Sequence, residues 1–159
     1  MDIRPTSKRD IAAVDELLAR SYPALLKADY PPSVLVTALP LISRAQPRLV
    51  TCGTYFGVFD GEQLVGAGGW TYDSKRRGPV ASIRHVVTDH ERVRQGIGRA
   101  LMDHILKTAQ AGGVREMRCQ ATFTAVPYYR AMGFVGDQQI EVPLQPGIGF
   151  PAVLMRRDV

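Results

Sequence analysis

The chain has 159 residues, 45% hydrophobic and 22% charged, which suffices for one core-forming domain spanning residues 1–159 and is too short for two. Twenty Lys and Arg against 15 Asp and Glu give a net charge of +5, a modest excess that favours an anionic partner. No basic helix or aromatic-basic RNA motif accompanies that excess, so nucleic acid is not expected as a partner. Cys52 and Cys119 are the only two cysteines and lie far apart, which excludes a disulfide framework and a cysteine-pair zinc site and is compatible with a reducing, cytoplasmic setting. The N-terminal stretch carries scattered charges instead of a signal-peptide apolar run, and no segment approaches membrane-spanning length, so neither a leader nor membrane association is expected.

In chain order, a short extended piece at Asp2–Arg4 precedes a helix with apolar positions Ile11, Val14, Leu17 and Leu18, expected to stop near Ser21 before Pro23. Val34, Leu35, Ala38, Leu39 and Ile42 predict a second helix, made irregular by Pro40. From Thr54 the pattern turns β-rich: Tyr55–Phe59, a turn at Asp60-Gly61, then Gln63–Tyr72, which reads as a hairpin. A basic loop at Lys75–Gly78, expected to be a solvated turn, leads into the β-branched strand Val80–Thr88. Ile97, Leu101, Met102, Ile105, Leu106 and Ala109 then form one helical stripe stopped by Gly112-Gly113. Met117–Ala121 is a strand, Thr124–Met132 a short helix closed by Gly133, and Phe134–Val142 and Ala152–Met155 the last strands. The order predicts an α/β (α+β) fold, one mixed sheet flanked by helices.

Gly-x-Gly occurs three times, at Gly66 and Gly68, Gly96 and Gly98, and Gly147 and Gly149, so the pattern alone says little. Context singles out Gly96-Ile97-Gly98, between a clear strand and a clear helix. There the first helical N–H groups lack acceptors and the helix dipole adds positive character, which suits a phosphate. Arg92, Arg94 and Arg99 surround the turn. Arg99-Ala100 follows the last glycine where a P-loop needs Lys and then Ser or Thr, and Leu101 stands where a dinucleotide fingerprint needs its third Gly. A pyrophosphate-binding turn in the middle of a mixed sheet remains.

The run from Ile83 to Met102 (IRHVVTDHERVRQGIGRALM), followed by Ala125–Phe134 (AVPYYRAMGF), resembles the GNAT superfamily of acetyl-CoA-dependent N-acetyltransferases. The loop departs from the family pattern at one place, Val93, where Gln or Arg is usual; Arg92 or Arg94 is expected to compensate. The resemblance implies a mostly antiparallel sheet with a central, splayed parallel strand pair. It also implies pyrophosphate contacts from the backbone of Arg94, Gln95, Gly96, Ile97, Gly98 and Arg99. The strand edge at Val86, Val87 and Thr88 would pair with the pantetheine amides like an added strand.

Tyr129, four residues before Gly133, matches the family's general acid, which would lie near the CoA sulfur. Its neighbour Tyr128 points about 100° away on a helix, so only one of the two can serve. The family's early strand Glu is replaced by Ser82. His85 has a suitable ordinary pKa, but strand alternation puts it on the wrong face unless a bulge reverses the parity. His90 and His104 read as loop and exposed-helix residues, Cys119 as buried filler, and no metal site is expected.

Tyr22, Tyr30, Trp70, Tyr72 and Arg84 are candidates for lining the acceptor pocket, although core and surface packing competes for the aromatic residues. Direct attack of a small-molecule or peptide amine on acetyl-CoA is the expected reaction, and a non-catalytic acyl-CoA sensor or interaction module is the alternative. Exposed edge strands leave room for a homodimer.

Overall fold

The computed structural model describes residues 1–159. Strands β1 (Asp2–Pro5), β2 (Tyr55–Asp60), β3 (Gln63–Tyr72), β4 (Val80–Thr88), β5 (Glu116–Ala121), β6 (Val135–Gln145) and β7 (Ile148–Asp158) form one seven-stranded sheet, order β1-β2-β3-β4-β5-β7-β6. Only β4 and β5 run parallel. The helices are α1 (Ile11–Leu26), α2 (Pro32–Ile42), α3 (Pro47–Val50), α4 (Ile97–Ala111) and α5 (Val126–Ala131). The mixed sheet with helices on both sides is the architecture expected from the element order. No helix is long and apolar enough to cross a membrane.

Two apolar layers hold the sheet. The stripe of α4, from Ile97 to Ala109, packs with Phe56, Val58, Val65, Trp70, Met117 and Cys119 in the largest core cluster. Val14, Leu17 and Leu18 of α1 pack with Tyr55, Phe59, Leu64, Ala67 and Val87 in the second. Each fully buried Leu or Val contributes about 1.5–3 kcal/mol. A third cluster joins α2 to β7 through Leu26, Tyr30, Leu35, Ala38 and Phe150.

Several boundaries differ from expectation. Helix α1 passes through Pro23 to Leu26, and α2 passes through Pro40 to Ile42. A proline deprives the carbonyl four residues earlier of its partner, here Ala19 and Val36. Both residues are exposed, so water can replace the missing donors, while Leu26 beyond Pro23 gains full burial. The turn of helix α3 lies where no element was expected. The last hairpin is longer than its Pro- and Gly-rich sequence indicates: β6 is an edge strand, so Pro143 can sit there without breaking a central ladder, and Gly147, at φ +80°, turns the hairpin.

The fold breaks regularity where the site lies. β4 and β5 pair only at Val80–Glu116, Ala81–Met117 and Ser82–Arg118, and then part. Just beyond, β4 bulges: Val87 faces Ala67 and Arg84 faces Gly69, so His85 and Val86 together oppose Gly68. His85 carries φ +45°, in the left-handed region. Gly68 makes the bulge possible, because a Cβ there would lie 2.7 Å from Val86 Cγ2 and 3.1 Å from Val86 Cα.

Candidate functional site

Helix α4 begins at Gly96, with φ +80°, after Arg94 at φ +64°. The first intrahelical bond runs from the Ala100 N–H to the Gly96 carbonyl at 3.0 Å, so the N–H groups of Ile97, Gly98 and Arg99 have no helical acceptor. They face a cavity of about 690 Å³ lined by the turn from Arg92 to Arg99 except Gln95, by Val86–Thr88, and by Tyr128 and Tyr129 of α5. Gln95 instead accepts from Arg92 Nε at 3.2 Å. Arg92 also donates to Asp60 at 2.7 Å, so it braces the turn, whereas Arg94 and Arg99 have no carboxylate partner. Val93 is 45% exposed and leaves the backbone of the turn accessible.

Gly98 is small for a defined reason. A Cβ there would come 3.0 Å from Tyr128 Cε1, and the Tyr128 hydroxyl donates to the Gly98 carbonyl at 2.7 Å. Tyr128 therefore clamps α5 to the first turn of α4, a role not read from the sequence. Its neighbour Tyr129 is buried, packs edge-on against Phe134 with centroids 5.3 Å apart, and lies beside the Cys119 thiol. Burial pushes the Tyr129 phenol well above its ordinary pKa, so it keeps its proton near neutrality. Burial also pushes the Cys119 thiol up to about 12, which leaves it without nucleophilic thiolate.

On the other side of the splay lies a second cavity of about 500 Å³, between α2, the start of α3, β4 and the β6–β7 hairpin. Tyr22, Val86, Thr122, Ala125 and Tyr129 line both cavities. Two tyrosines hold the bulge between them: the Tyr55 hydroxyl donates to the His85 carbonyl at 2.9 Å and the Tyr22 hydroxyl to the Val86 carbonyl at 3.4 Å. Burial raises both phenols, so both remain donors. The bulge brings His85 into the second cavity, with Nε2 3.3 Å from the Gln46 amide nitrogen and Nδ1 buried without a partner. Burial, and secondarily Arg84, lower the His85 pKa and keep the imidazole neutral.

Of the expected pocket residues, Tyr22 and Arg84 line this second cavity. The other three pack elsewhere. Tyr30 stacks between Phe123 and Phe150, donates to the Pro151 carbonyl at 2.7 Å and accepts from the Phe123 N–H at 2.9 Å. Trp70 donates to Thr108 Oγ1 at 2.9 Å under α4, and Tyr72 donates to the Gly112 carbonyl at 2.6 Å. Their β3 positions face α4 on the sheet side opposite α1.

Ser82 is turned to Asp73, its hydroxyl 2.6 Å from the carboxylate, and lines neither cavity. His90 sits in a 3-10 turn between Asp89 and Glu91. His104, expected exposed, is half-buried with its ring 4.6 Å from that of Phe56. No group of three or more His, Cys, Asp or Glu side chains is placed to hold a metal ion.

A model of the acetyltransferase (GNAT) family matches residues 12–134. A search of curated proteins finds no significant match. Among solved structures, the chain is similar to a GCN5-related N-acetyltransferase from Rhodopseudomonas palustris, with TM-score 0.84, 19% identity and coverage of 99% of this chain and 95% of that one. It is also similar to the PaiA N-acetyltransferase from Thermoplasma acidophilum in complex with coenzyme A, with TM-score 0.77, 15% identity and coverage of 99% and 98%. Ard1 from Thermoplasma volcanium aligns with TM-score 0.69, 20% identity and coverage of 99% and 97%. The family match spans the bulged strand, the Gly96–Gly98 turn and the Tyr129 helix together: the chain belongs to the acetyltransferase (GNAT) family, the N-acetyltransferases.

Proposed function

We propose that residues 1–159 act as a single N-acetyltransferase domain that transfers the acetyl group of acetyl-CoA to a primary amine by direct attack. The observation that carries this reading is the pair of cavities on either side of the parted β4 and β5, joined at Val86 and Tyr129. One has a backbone anion site at the N-terminus of a long helix, as a pyrophosphate requires, and the other is open to an acceptor. A solved relative in the family fold carries coenzyme A.

Acetyl-CoA supplies an activated thioester when bound. The N–H groups of Gly96–Arg99, with Arg94 and Arg99, hold its diphosphate, and the free edge of β4 at Val86, Val87 and Thr88 takes the pantetheine amides in strand fashion. A backbone N–H of β4 polarises the thioester oxygen. His85 lines the acceptor cavity, and an amine that takes the place of the Gln46 amide at Nε2 can give its proton to the lone pair there. Tyr129, which stays protonated, gives its proton to the departing thiolate. The C–N bond forms as the C–S bond breaks, and the amine's proton balances that given to sulfur.

Tyr129→Phe tests the reading. Turnover, followed by release of free CoA, should fall at least tenfold while calorimetric affinity for acetyl-CoA stays within about threefold, since general acid catalysis contributes roughly 10²–10⁴-fold. A wild-type protein that binds acetyl-CoA but turns over no amine in a broad panel would instead be a non-catalytic CoA-binding module. The absence of any carboxylate base from the second cavity is the feature that favours that rival.

A further inference from the structure

The second cavity has an unusual charge balance for a site that receives amines. No Asp or Glu lines it, and its one full charge is the Arg84 guanidinium. Arg84 is exposed and has no carboxylate or hydrogen-bond acceptor of its own in the structure, although Asp10, Asp60, Asp89 and Glu116 each hold an arginine elsewhere. Outside the lining, Arg44 and Arg48 flank Gln46 in a stretch without acidic residues between Asp29 and Asp60, and the nearest acidic neighbour in sequence is Glu141, beside Val142 but not lining the cavity. His85 is neutral and cannot attract a cation by charge. The rest of the lining is largely apolar, with Leu41, Ile42, Ile83, Val142, Leu144 and Phe150 on three sides.

A polyamine or an aminoglycoside would bring several positive charges into this cavity with no anion to meet them and one cation to repel them. An acceptor that carries a carboxylate would meet an unpaired, planar, two-pronged donor. An aliphatic or aromatic body would cover the apolar wall. We infer that the acceptor is an apolar amino acid, that is, a primary amine with a hydrophobic side chain and a free carboxylate, and that Arg84 selects it by pairing with that carboxylate. This inference rests on the proposed transferase reading and names its substrate class. The products are the N-acetyl amino acid and CoA thiol.

The test pairs acids with their carboxamides. With acetyl-CoA saturating and free CoA as the readout, leucine and phenylalanine should show kcat/KM at least tenfold above leucinamide and phenylalaninamide, and spermidine should be the poorest acceptor. In Arg84→Gln the acid-to-amide ratio should collapse towards one through a higher KM for the acids. The side chain is exposed, so the variant should fold, and calorimetry with acetyl-CoA checks that the donor site is intact. Amides equal to or better than acids, a preference for spermidine, or an unchanged ratio in Arg84→Gln would overturn the inference while leaving the transferase intact. If no amine is turned over, the transferase reading fails separately. The same selectivity is then read by titrating the protein–CoA complex with N-acetyl-leucine and N-acetyl-leucinamide, where equal affinity overturns the assignment of Arg84.

Discussion

Tyr55→Phe removes one oxygen from a side chain that is 1% exposed, opens almost no cavity, and deletes the 2.9 Å bond from its hydroxyl to the carbonyl of His85. That carbonyl belongs to the bulge, at a residue with φ +45°. Leaving a buried acceptor unsatisfied costs about 1–3 kcal/mol. For a chain of this length each kcal/mol lowers Tm by about 2–4 °C. The same loss frees a non-glycine residue from a left-handed conformation that is itself worth about 1–3 kcal/mol of strain. Relaxation of the bulge would move His85 and Val86, and a misplacement of about 1 Å at a reacting centre can cost as much as 10²-fold in rate. Strain relief offsets part of the hydrogen-bond cost if the bulge relaxes, so urea unfolding should show a loss of at most about 3 kcal/mol, and turnover at saturating substrates should fall several-fold. Tyr72→Phe, which loses a bond of similar length to Gly112 at the surface, is the control and should change stability by less than about 1 kcal/mol with turnover kept. If Tyr55→Phe matches Tyr72→Phe in both measurements, the phenol does not hold the bulge and the geometric account of the site is wrong.

Gly98→Val places branched carbon against Tyr128, already 3.0 Å from a bare Cβ, and should weaken calorimetric acetyl-CoA binding at least tenfold; unchanged affinity would remove the Gly98–Tyr128 contact from the donor site. Intact-mass spectrometry after mixing with acetyl-CoA should show no acylated protein, because Cys119 is held as a thiol; a stoichiometric acyl adduct on Cys119 would replace direct attack with a covalent route. Acid stability is set by lowered carboxyls. Arg4 holds Asp10 below its ordinary range, and at Asp89, where burial acts in the opposite sense, the Glu91 N–H and Arg20 outweigh it. A depressed folded pKa means that these groups stabilise fully above the unfolded value of about 3.9 and that the contribution is lost as pH falls below it, towards the folded pKa. Tm should fall in that window, and Asp89→Asn should flatten part of the fall; an identical profile in the variant would show that the Arg20 pair carries no stability.

The strongest signals in the sequence were local ones. The α4 stripe from Ile97 to Ala109, the Gly61 turn and the β-branched run of β4 each settle their own element, and the structure places them where the pattern does. Tertiary contacts decided the rest. Pro23 reads as a stop because its cost is local, whereas the burial of Leu26 that offsets it comes from α2 and β7. Tyr30, Trp70 and Tyr72 have the chemistry of pocket walls, but their partners Phe150, Thr108 and Gly112 lie 38 or more residues away in sequence. The bulge had a readable sign: Gly68-Gly69 inside an otherwise apolar strand marks close approach of a neighbouring backbone, and Cβ atoms there would strike Val86 and the Thr54 carbonyl. Which residue of β4 takes the left-handed conformation depends on Tyr22 and Tyr55 finding carbonyls, and no spacing rule encodes that.

The most direct measurement is a calorimetric titration of the wild-type protein with acetyl-CoA, repeated with Arg94→Glu and Arg99→Glu together. Binding should be saturable and one-to-one, and both the double variant, by at least tenfold, and high salt should weaken it if the exposed, positive helix terminus holds the diphosphate. No heat of binding in the wild-type protein, or binding indifferent to both arginines and to salt, would contradict that assignment.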